Sequence, residues 1–313
     1  MCPPERLPWI AQDPASQRLL DLANKVAGVP TTLLITGESG SGKDHLARYI
    51  HETGPRRDAP FLKIDCASLP PALVESELFG HERGAFTGAV ERKLGRLELG
   101  GAGTIVLDEI AALSPNAQTK LLRVLQERAF ERLGGTETLR IEARIVALTN
   151  ADLAAAVSSG RFREDLFFRL NVLPLQIPPL RERPADILPL CELFLSSLRS
   201  VHGRPGLKLA QPSMRMLSIY GWPGNIRELR NVLERAVVFC LGDELVPEDF
   251  PESIRAASGS KAVLSGLRSL EDVEREVITQ TLEATRYHIS QAAGILGISR
   301  KTLLEKRKKY GLQ

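Results

Sequence analysis

The sequence predicts an α/β protein with a three-layer parallel sheet domain, a small all-helical lid and a separate helical C-terminal domain. Strand-like and helix-like segments alternate as far as residue 180, which is typical of a parallel sheet. A glycine-rich segment, residues 37–44, lies between an apolar run and a helical pattern. From Pro184 onward only helical periodicity remains. We therefore expect a sheet domain over 1–180, a lid over 181–242, a linker over 243–268 and a C-terminal domain over 269–313.

Composition and charge limit the classes of protein to be considered. The 313 residues are 43% hydrophobic and 25% charged, which leaves room for two or three domains. A net charge of +3 is too small to indicate nucleic acid binding by itself. The four cysteines form no CxxC pair, so neither a zinc site nor a disulfide framework is indicated. No stretch approaches the roughly 20 apolar residues of a membrane span, and no signal-peptide core is present, so we expect a cytoplasmic protein without a membrane partner.

The N-terminal segment contains one predicted helix, residues 14–27, with an apolar face. A segment of this length buries too little apolar surface to form an independent sensory domain. We expect no separate regulatory domain before the sheet.

The glycine-rich segment has the features of a phosphate-binding loop and consists of Gly37, Glu38, Ser39, Gly40, Ser41, Gly42, Lys43 and Asp44. Glycines let the backbone curl so that successive N–H groups point at phosphate oxygens, while Lys43 and the next helix N-terminus add positive charge. Asp44 departs from the pattern, because a Ser or Thr that would hold magnesium is usual after the lysine. A chance turn is the alternative, and the flanking strand and helix argue against it.

Two predicted strands deliver polar side chains at their C-terminal ends. Residues 104–107 are followed by Asp108 and Glu109, which we expect to orient Mg²⁺ and to polarise an attacking water, respectively. A strand followed by an acidic helix cap is the alternative. The strand 144–149 ends at Asn150, which either reaches a γ-phosphate or the attacking water, or caps the next helix.

Three other segments carry candidate functional side chains. Phe86 lies among glycines between residues 80 and 95, and is either tucked into a core or presented at the tip of a loop. Arg163 and Arg169 are six residues apart, so they do not share one helix face. Arg227, near the start of a lid helix, is either a surface charge or a group that reaches back to a nucleotide.

The C-terminal domain reads as a helix, a second helix, a turn at Gly297 and a third helix capped by Ser299. Residues 299–309 hold six basic residues against one acid, Glu305. A solvated basic helix is the alternative, but this charge density after a glycine turn favours DNA binding.

Taken together, these residues resemble the AAA+ activators of the sigma-54 form of bacterial RNA polymerase. The resemblance runs from about residue 10 to the C-terminus, and the segment ESELFGHERGAFTGA carries the family's GAFTGA hexapeptide intact. Supporting segments are GESGSGKD, TIVLDEI, KLLRVLQE, FREDLFFRLNVLPLQIPPLRER and WPGNIREL. The end of the chain is similar to a Fis-type helix-turn-helix.

The resemblance implies roles for the candidate residues. It makes Asp108 and Glu109 the Walker B pair, Asn150 the sensor I residue and Arg227 sensor II. Arg163 and Arg169 match arginines that reach the nucleotide of the neighbouring subunit. The sigma-54 contact would come from Gly84, Ala85, Phe86, Thr87, Gly88 and Ala89. DNA contacts would come from Ser299, Arg300, Lys301, Thr302, Lys306 and Lys308.

The same resemblance implies an ATPase that uses ATP and Mg²⁺, with Asp108 as the metal-binding side chain. The expected partners are the sigma-54 polymerase holoenzyme, upstream DNA and copies of the chain itself in a ring, expected to be a hexamer. The chain resembles the short members of the family, which a trans-acting inhibitor, a co-activator or the expression level controls. The alternatives are a replication-initiator-like ATPase, which lacks the GAFTGA loop, and a non-catalytic DNA-binding regulator, against which the intact catalytic set argues.

Five residues depart from the family pattern. The resemblance counts Asp65 among the catalytic residues, because its position, often Asn in the family, holds the catalytic glutamate away from water until the target is engaged. Asp65 and Glu109 carry like charges, so they cannot pair as an amide and a carboxylate do. Tyr287-His288 replaces Gly-Asn before the second helix of the C-terminal domain. Arg307 stands where leucine is usual and should weaken the packing of the last helix, and Glu305 replaces a base.

Overall fold

The computed structural model describes residues 8–256, 270–285 and 287–310. The chain divides into two units, residues 1–255 and residues 256–313. The strands are β1 (Leu33–Thr36), β2 (Phe61–Asp65), β3 (Gly80–His81), β4 (Lys93–Leu94), β5 (Thr104–Asp108), β6 (Ala129–Glu131), β7 (Thr138–Arg140), β8 (Arg144–Thr149), β9 (Leu173–Gln176), β10 (Lys208–Leu209) and β11 (Glu244–Leu245). The helices are α1 (Pro14–Ala27), α2 (Lys43–Thr53), α3 (Pro71–Phe79), α4 (Arg96–Leu99), α5 (Pro115–Glu127), α6 (Leu153–Ser158), α7 (Glu164–Leu170), α8 (Ile187–Val201), α9 (Gln211–Ile219), α10 (Asn225–Phe239), α11 (Leu270–Ala284), α12 (Ile289–Ile295) and α13 (Arg300–Lys309).

A five-stranded sheet in the order β2-β5-β8-β1-β9 forms the centre of the first unit, and each of its pairings is parallel. The central strands β1, β5 and β8 are apolar and buried almost throughout, because helices cover both faces. The register pairs Thr36 with Thr149 and Asp65 with Asp108, so the carboxyl ends of the strands meet at one edge. This edge is where a parallel sheet binds its ligands.

Two hydrophobic cores complete the three layers that the sequence predicts. On one face, α1 and α2 pack with β1 and β8 through residues such as Leu19, Leu46 and Val146. On the other face, α3, α5 and α7 pack through residues such as Leu78 and Leu121. The predicted fold class is thereby confirmed.

Two small antiparallel pairs interrupt the alternation of strands and helices. The pair β3–β4 closes the glycine-rich loop that spans residues 82–92, and β6–β7 is the hairpin that precedes β8. The pair β3–β4 has two residues in each strand, so the loop itself stays irregular, as its glycines predict.

The lid consists of α8, α9 and α10 around a core that contains the fully buried Trp222. A parallel pair of two-residue strands, β10–β11, accompanies these helices. The structure differs from the predicted linker at its start, because Leu245, Phe250 and Ile254 are buried in the lid core. Acids and prolines dominate this segment and obscure its three widely spaced apolar anchors. The remainder of that linker, 257–268, lies outside the described residues.

In the second unit, α11, α12 and α13 surround a small core formed by residues such as Ile278, Ala292 and Leu303. Gly297 makes the turn before α13 with a φ of 65°, a value that favours glycine. The Ser299 hydroxyl accepts a hydrogen bond from the Thr302 N–H at 3.1 Å and caps α13. The expected helical C-terminal region is thus confirmed. Over the described ranges, no helix is both long and apolar enough to cross a membrane.

Candidate nucleotide site and interaction surfaces

The phosphate-binding loop, residues 37–44, follows β1 directly, and its last two residues, Lys43 and Asp44, begin α2. Gly40 has a φ of 73°, and a Cβ there would lie 2.5 Å from the Gly224 carbonyl oxygen. Gly42 caps α2 with a φ of 106°. These conformations explain why glycine occupies both positions, and they turn the loop over the N-terminus of α2.

The side chains of this loop include a buried cation and a buried hydroxyl. Lys43 is 7% exposed, and its ammonium donates to the carbonyl oxygens of Gly37 at 2.8 Å and Glu38 at 3.2 Å. Burial lowers the pKa of Lys43. The Ser41 hydroxyl is fully buried and has no hydrogen-bond partner in the described part of the chain. An unpaired buried hydroxyl is costly, so this loop suits a ligand with oxygen acceptors.

Asp108 and Glu109 lie where β5 ends, as the sequence predicts. Asp108 Oδ1 accepts a hydrogen bond from the Glu109 N–H at 3.0 Å. Glu109 has a left-handed backbone, with φ 50° and ψ 52°, which costs a non-glycine residue about 1 kcal/mol. One Glu109 carboxylate oxygen lies 3.4 Å from the Asn150 backbone nitrogen, which is its donor. The structure therefore brings together three of the predicted catalytic residues.

Lys63 joins this group, although no motif in the sequence singles it out. Its ammonium lies 2.6 Å from Asp44 Oδ1 and 2.8 Å from Asp108 Oδ2. Burial by itself would lower the pKa of Lys63, but hydrogen bonds to Asp108 and Asp44 outweigh burial and raise it. Its one local signal is a charge between the apolar residues Leu62 and Ile64 of β2.

Asp65, the register partner of Asp108, is engaged in the turn that follows β2. Its Oδ1 accepts hydrogen bonds from the N–H groups of Ala67 at 2.9 Å and Ser68 at 3.2 Å. This arrangement is an Asx-turn, in which the side chain caps its own backbone. The carboxylate thus has a structural task beside the site, and its expected catalytic role stays a prediction.

The start of α10 in the lid contacts the phosphate loop through consecutive residues. The Ile226 N–H donates to the Gly40 carbonyl at 3.0 Å, and the Arg227 guanidinium donates to the Ser39 hydroxyl at 2.9 Å. The Asn225 amide donates to Glu38 at 3.0 Å. These contacts hold Arg227 beside the loop, as the interpretation of this arginine as a nucleotide-reaching group requires.

Glu38 also pairs with Arg181, a lid residue that was not predicted from the sequence. The two side chains form a bidentate pair with N···O distances of 2.7 and 2.9 Å. Hydrogen bonds from Arg181 and Asn225 lower the pKa of Glu38 to about 2. Because Arg181 and Glu38 are distant in sequence, neither residue type nor spacing predicts their contact.

A cavity of about 440 Å³ lies between the phosphate loop and the lid. Lys43, Asp108, Glu109 and Arg227 line its polar part. Its apolar part is lined by residues that include Trp9, Ile10, Leu190, Phe194 and Ile226. The Trp9 ring stacks on His45 at 5.4 Å, and its buried Nε1 has no partner in the described part of the chain. A charged end beside an aromatic end, in a volume typical of small-molecule sites, fits a nucleotide.

The two expected trans-acting arginines are exposed and point to different partners. Arg163 immediately precedes α7, and its guanidinium pairs with Asp165 at 2.7 Å. Arg169 donates to the Leu125 carbonyl at 3.2 and 3.3 Å. Neither lines the cavity of its own chain. Their separate settings agree with the expectation that residues six apart do not share one helix face.

The GAFTGA segment forms the outer part of the loop between β3 and β4. The Gly84 N–H donates to the Ala89 carbonyl at 2.8 Å, and the Ala89 N–H donates to the Phe86 carbonyl at 3.0 Å. Phe86 is 40% exposed, and Thr87 and Gly88 are exposed beside it. Of the two interpretations of Phe86, the structure agrees with presentation on a loop.

Arg132 anchors the base of this loop through three carboxylates. Its side chain is 2% exposed and bonds Glu82, Glu98 and Glu137 at 2.8 to 2.9 Å. The hydrogen bond to Glu98 is the main reason that the pKa of Arg132 is raised. Arg132 belongs to the segment after β6, so it ties the hairpin to the loop.

The predicted DNA-binding residues of α13 are not equivalent. Arg300, Lys301 and Lys308 are exposed, whereas Ser299 and Thr302 form the helix cap. The Lys306 ammonium pairs with Glu274 of α11, which also accepts the Tyr310 hydroxyl at 2.6 Å. Arg307 lies over the Tyr287 ring at 5.9 Å, so these two departures from the family pattern contact each other.

Comparisons with known proteins match this arrangement along the chain. The family described as the Sigma-54 interaction domain matches residues 9–176, the AAA+ ATPase lid domain matches 181–266, and the Fis family of bacterial regulatory proteins matches 269–310. The chain is 42% identical to the transcriptional regulatory protein FlbD of Caulobacter vibrioides, over 97% of this chain and 70% of FlbD. It is 44% identical to the regulatory protein AtoC of Escherichia coli, over 97% of this chain and 68% of AtoC.

A solved structure extends the likeness to the fold. NtrX from Brucella abortus in complex with ATP superposes with a TM-score of 0.75 at 32% identity, covering 98% of this chain and 70% of NtrX. The chain spans 70% of the length of FlbD and 56% of the length of the nitrogen fixation protein AnfA of Azotobacter vinelandii.

Proposed function

The chain belongs to the family of sigma-54-dependent transcriptional activators, with an AAA+ domain and a Fis-type helix-turn-helix, and on that premise we propose that it hydrolyses ATP to remodel a sigma-54 promoter complex. The observation that carries the proposal is the cavity where Lys43, Asp108, Glu109 and Arg227 meet beside an aromatic surface.

The phosphate loop and the lid would bind ATP between them. N–H groups of residues 37–42, the Lys43 ammonium and Arg227 would hold the phosphates, and the surface around Trp9 would take the base. The unpaired Ser41 hydroxyl and the buried Lys43 support this fit. Asp108 and Asp44 are the oxygen donors suited to Mg²⁺, which supplies charge neutralisation on the phosphate oxygens when bound.

Glu109 would act as the general base of hydrolysis. Its carboxylate would accept the proton of the attacking water, while the Asn150 N–H keeps that carboxylate oriented. The strained backbone at Glu109 supports a functional position, because such strain clusters at active sites. Asp65 would act indirectly, by fixing the turn after β2 next to the end of β5.

Copies of the chain would assemble into a hexameric ring, in which Arg163 and Arg169 complete the site of a neighbour. Both arginines are exposed residues and lie outside the cavity of their own chain. An arginine supplied in trans to a transferring phosphoryl group can be worth roughly 10³–10⁵ in rate. This requirement would make turnover depend on assembly.

The Phe86 loop would couple ATP hydrolysis to the remodelling of the sigma-54 complex. Phe86 and Thr87 would contact the sigma factor and promoter DNA, and loop movement would convert the closed complex to the open one. Exposure of both residues on a loop whose base Arg132 holds supports this role. The second unit would bind upstream DNA through the exposed bases of α13, and so raise the local concentration of activator.

The test combines ATP turnover with open-complex formation on a sigma-54 promoter. The purified chain should hydrolyse ATP and open the promoter, and Lys43→Ala should do neither. Turnover without promoter opening by sigma-54 polymerase would favour an ATPase of the replication-initiator kind. DNA binding without turnover would favour a non-catalytic regulator.

A further inference from the structure

Lys63 connects two carboxylates that belong to different elements of the fold. Asp44 lies in the first turn of α2, and Asp108 is the last residue of β5. The Lys63 ammonium contacts Asp44 Oδ1 at 2.6 Å and Asp108 Oδ2 at 2.8 Å. Because β2 is the neighbour of β5 in the sheet, the Lys63 side chain runs alongside the end of β5.

Both oxygens of Asp108 therefore carry a hydrogen bond. Oδ1 accepts from the Glu109 N–H, and Oδ2 accepts from Lys63. The other lysine of the site, Lys43, donates to two carbonyl oxygens of the phosphate loop instead. Of these two lysines, Lys63 is therefore the one in direct contact with Asp108.

The position of this ammonium bears on metal binding. Asp44 and Asp108 both contact the Lys63 ammonium, and Glu109 follows Asp108 in the chain. Without a cation between them, the two carboxylates would repel each other, and they would attract a divalent cation. Lys63 supplies a compact charge with three donors at that place. A free divalent cation has to compete with a charge that is already attached to the protein.

We propose that Lys63 is a positioning residue that occupies Asp44 and Asp108 before nucleotide arrives, so that free divalent cations bind there poorly. Asp108 then stays in place beside Glu109, and the metal enters together with the nucleotide phosphates. The entry of the metal with the nucleotide rests on the proposed ATPase function, whereas the poor binding of free divalent cations concerns the nucleotide-free chain alone.

The experiment measures Mn²⁺ binding to the nucleotide-free full chain, by the loss of the free Mn²⁺ signal in electron paramagnetic resonance. Lys63→Met should raise the affinity for Mn²⁺ by about tenfold or more, because the competing charge is gone. Lys63→Arg, which keeps the charge, should stay close to the unchanged protein. Lys63→Gln provides a second neutral variant in case Lys63→Met does not fold, and it should behave as Lys63→Met does.

Lys120→Met is the matched control. Lys120 is exposed to a similar degree, 35% against 37% for Lys63, and pairs with Glu75 at 2.9 Å away from the cavity. This control should leave Mn²⁺ affinity unchanged. An affinity that is equal in the unchanged protein and in a folded neutral variant at position 63 would overturn the proposal.

A parallel ATP turnover assay on the unchanged protein separates this inference from the proposed function. Raised Mn²⁺ affinity in the neutral variants together with no turnover would sink the ATPase proposal and leave the role of Lys63 standing. Normal turnover together with unchanged Mn²⁺ affinity would do the reverse.

Discussion

The ring of His81 lies edge-on against the ring of Phe86, with centroids 5.0 Å apart. His81 itself is 8% exposed, and its Nδ1 lies 2.8 Å from the Ser76 hydroxyl. The exposed aromatic residue of the loop therefore rests on a side chain fixed to α3. This contact gives the loop a defined resting position from which the proposed movement would start.

Truncation of the Phe86 or Thr87 side chain should separate ATP turnover from promoter opening. Phe86→Ala and Thr87→Ala should keep turnover within about twofold, because neither residue lines the cavity, while open-complex formation should fall at least about tenfold. Phe239→Ala is the matched control, because that phenylalanine is 66% exposed on α10 and should leave both assays unchanged. Unchanged promoter opening with Phe86→Ala would contradict the proposed coupling.

Removal of Arg132 should destabilise the first unit. Arg132→Ala leaves three glutamates without their buried cation, and we expect a loss of about 2–3 kcal/mol in the free energy of unfolding measured with urea. Arg92→Ala provides the control, because Arg92 is half-exposed and reaches the same Glu82 and Glu98 at 3.9 Å. Its effect should stay within about 0.5 kcal/mol, and equal losses for both variants would show that burial of Arg132 does not matter.

The contact of Glu38 with the lid should weaken in acid. Its pKa is lowered from 4.5 to about 2, so its stabilising contribution is fully present above pH 4.5 and is lost as the pH falls towards 2. Glu38→Gln should lower the melting temperature near neutral pH, and the difference from the unchanged protein should shrink as the pH falls through this range. A difference that stays constant with pH would show that the charge of Glu38 contributes nothing.

Mixed rings should test whether Arg163 acts in trans. Lys43→Ala and Arg163→Ala should each lose nearly all ATP turnover on their own, by about 10³-fold. A mixture should regain part of it, because some junctions then combine an intact phosphate loop with an intact arginine. The control is the double variant, which should rescue neither single one. Absence of rescue in mixtures that form rings would place Arg163 outside the neighbour's site.

Two lysines of α13 should behave differently in DNA binding. Lys301 is exposed, so Lys301→Ala should weaken binding to upstream DNA and reduce the salt slope by about 1. Lys306 pairs with Glu274, so Lys306→Ala should lower the melting temperature of the C-terminal unit. It should weaken DNA binding less than Lys301→Ala does. Titrations at several salt concentrations, together with thermal melts, distinguish the two. Equal losses of DNA affinity for Lys301→Ala and Lys306→Ala would show that Lys306 contacts DNA as Lys301 does.

The parts of this protein that depend on local backbone geometry and on short motifs could be predicted from the sequence. The strand–loop–helix context identified Lys43, and the apolar run before Asp108 and Glu109 identified the end of a buried strand. Helical periodicity located the lid helices, and Gly297 with Ser299 located the start of α13. Such patterns are legible because helix and strand periods and capping act over only a few neighbouring residues.

Contacts at the site between side chains that are distant in sequence depend on tertiary structure. Lys63 reaches Asp108 because β2 lies next to β5, and Arg181 grips Glu38 because the lid begins directly over the phosphate loop. Tertiary structure also buried Leu245 and Ile254 in a segment whose composition suggested a linker. Strand order and lid docking come from burial of apolar surface summed over the whole unit, and no short window of sequence contains that sum.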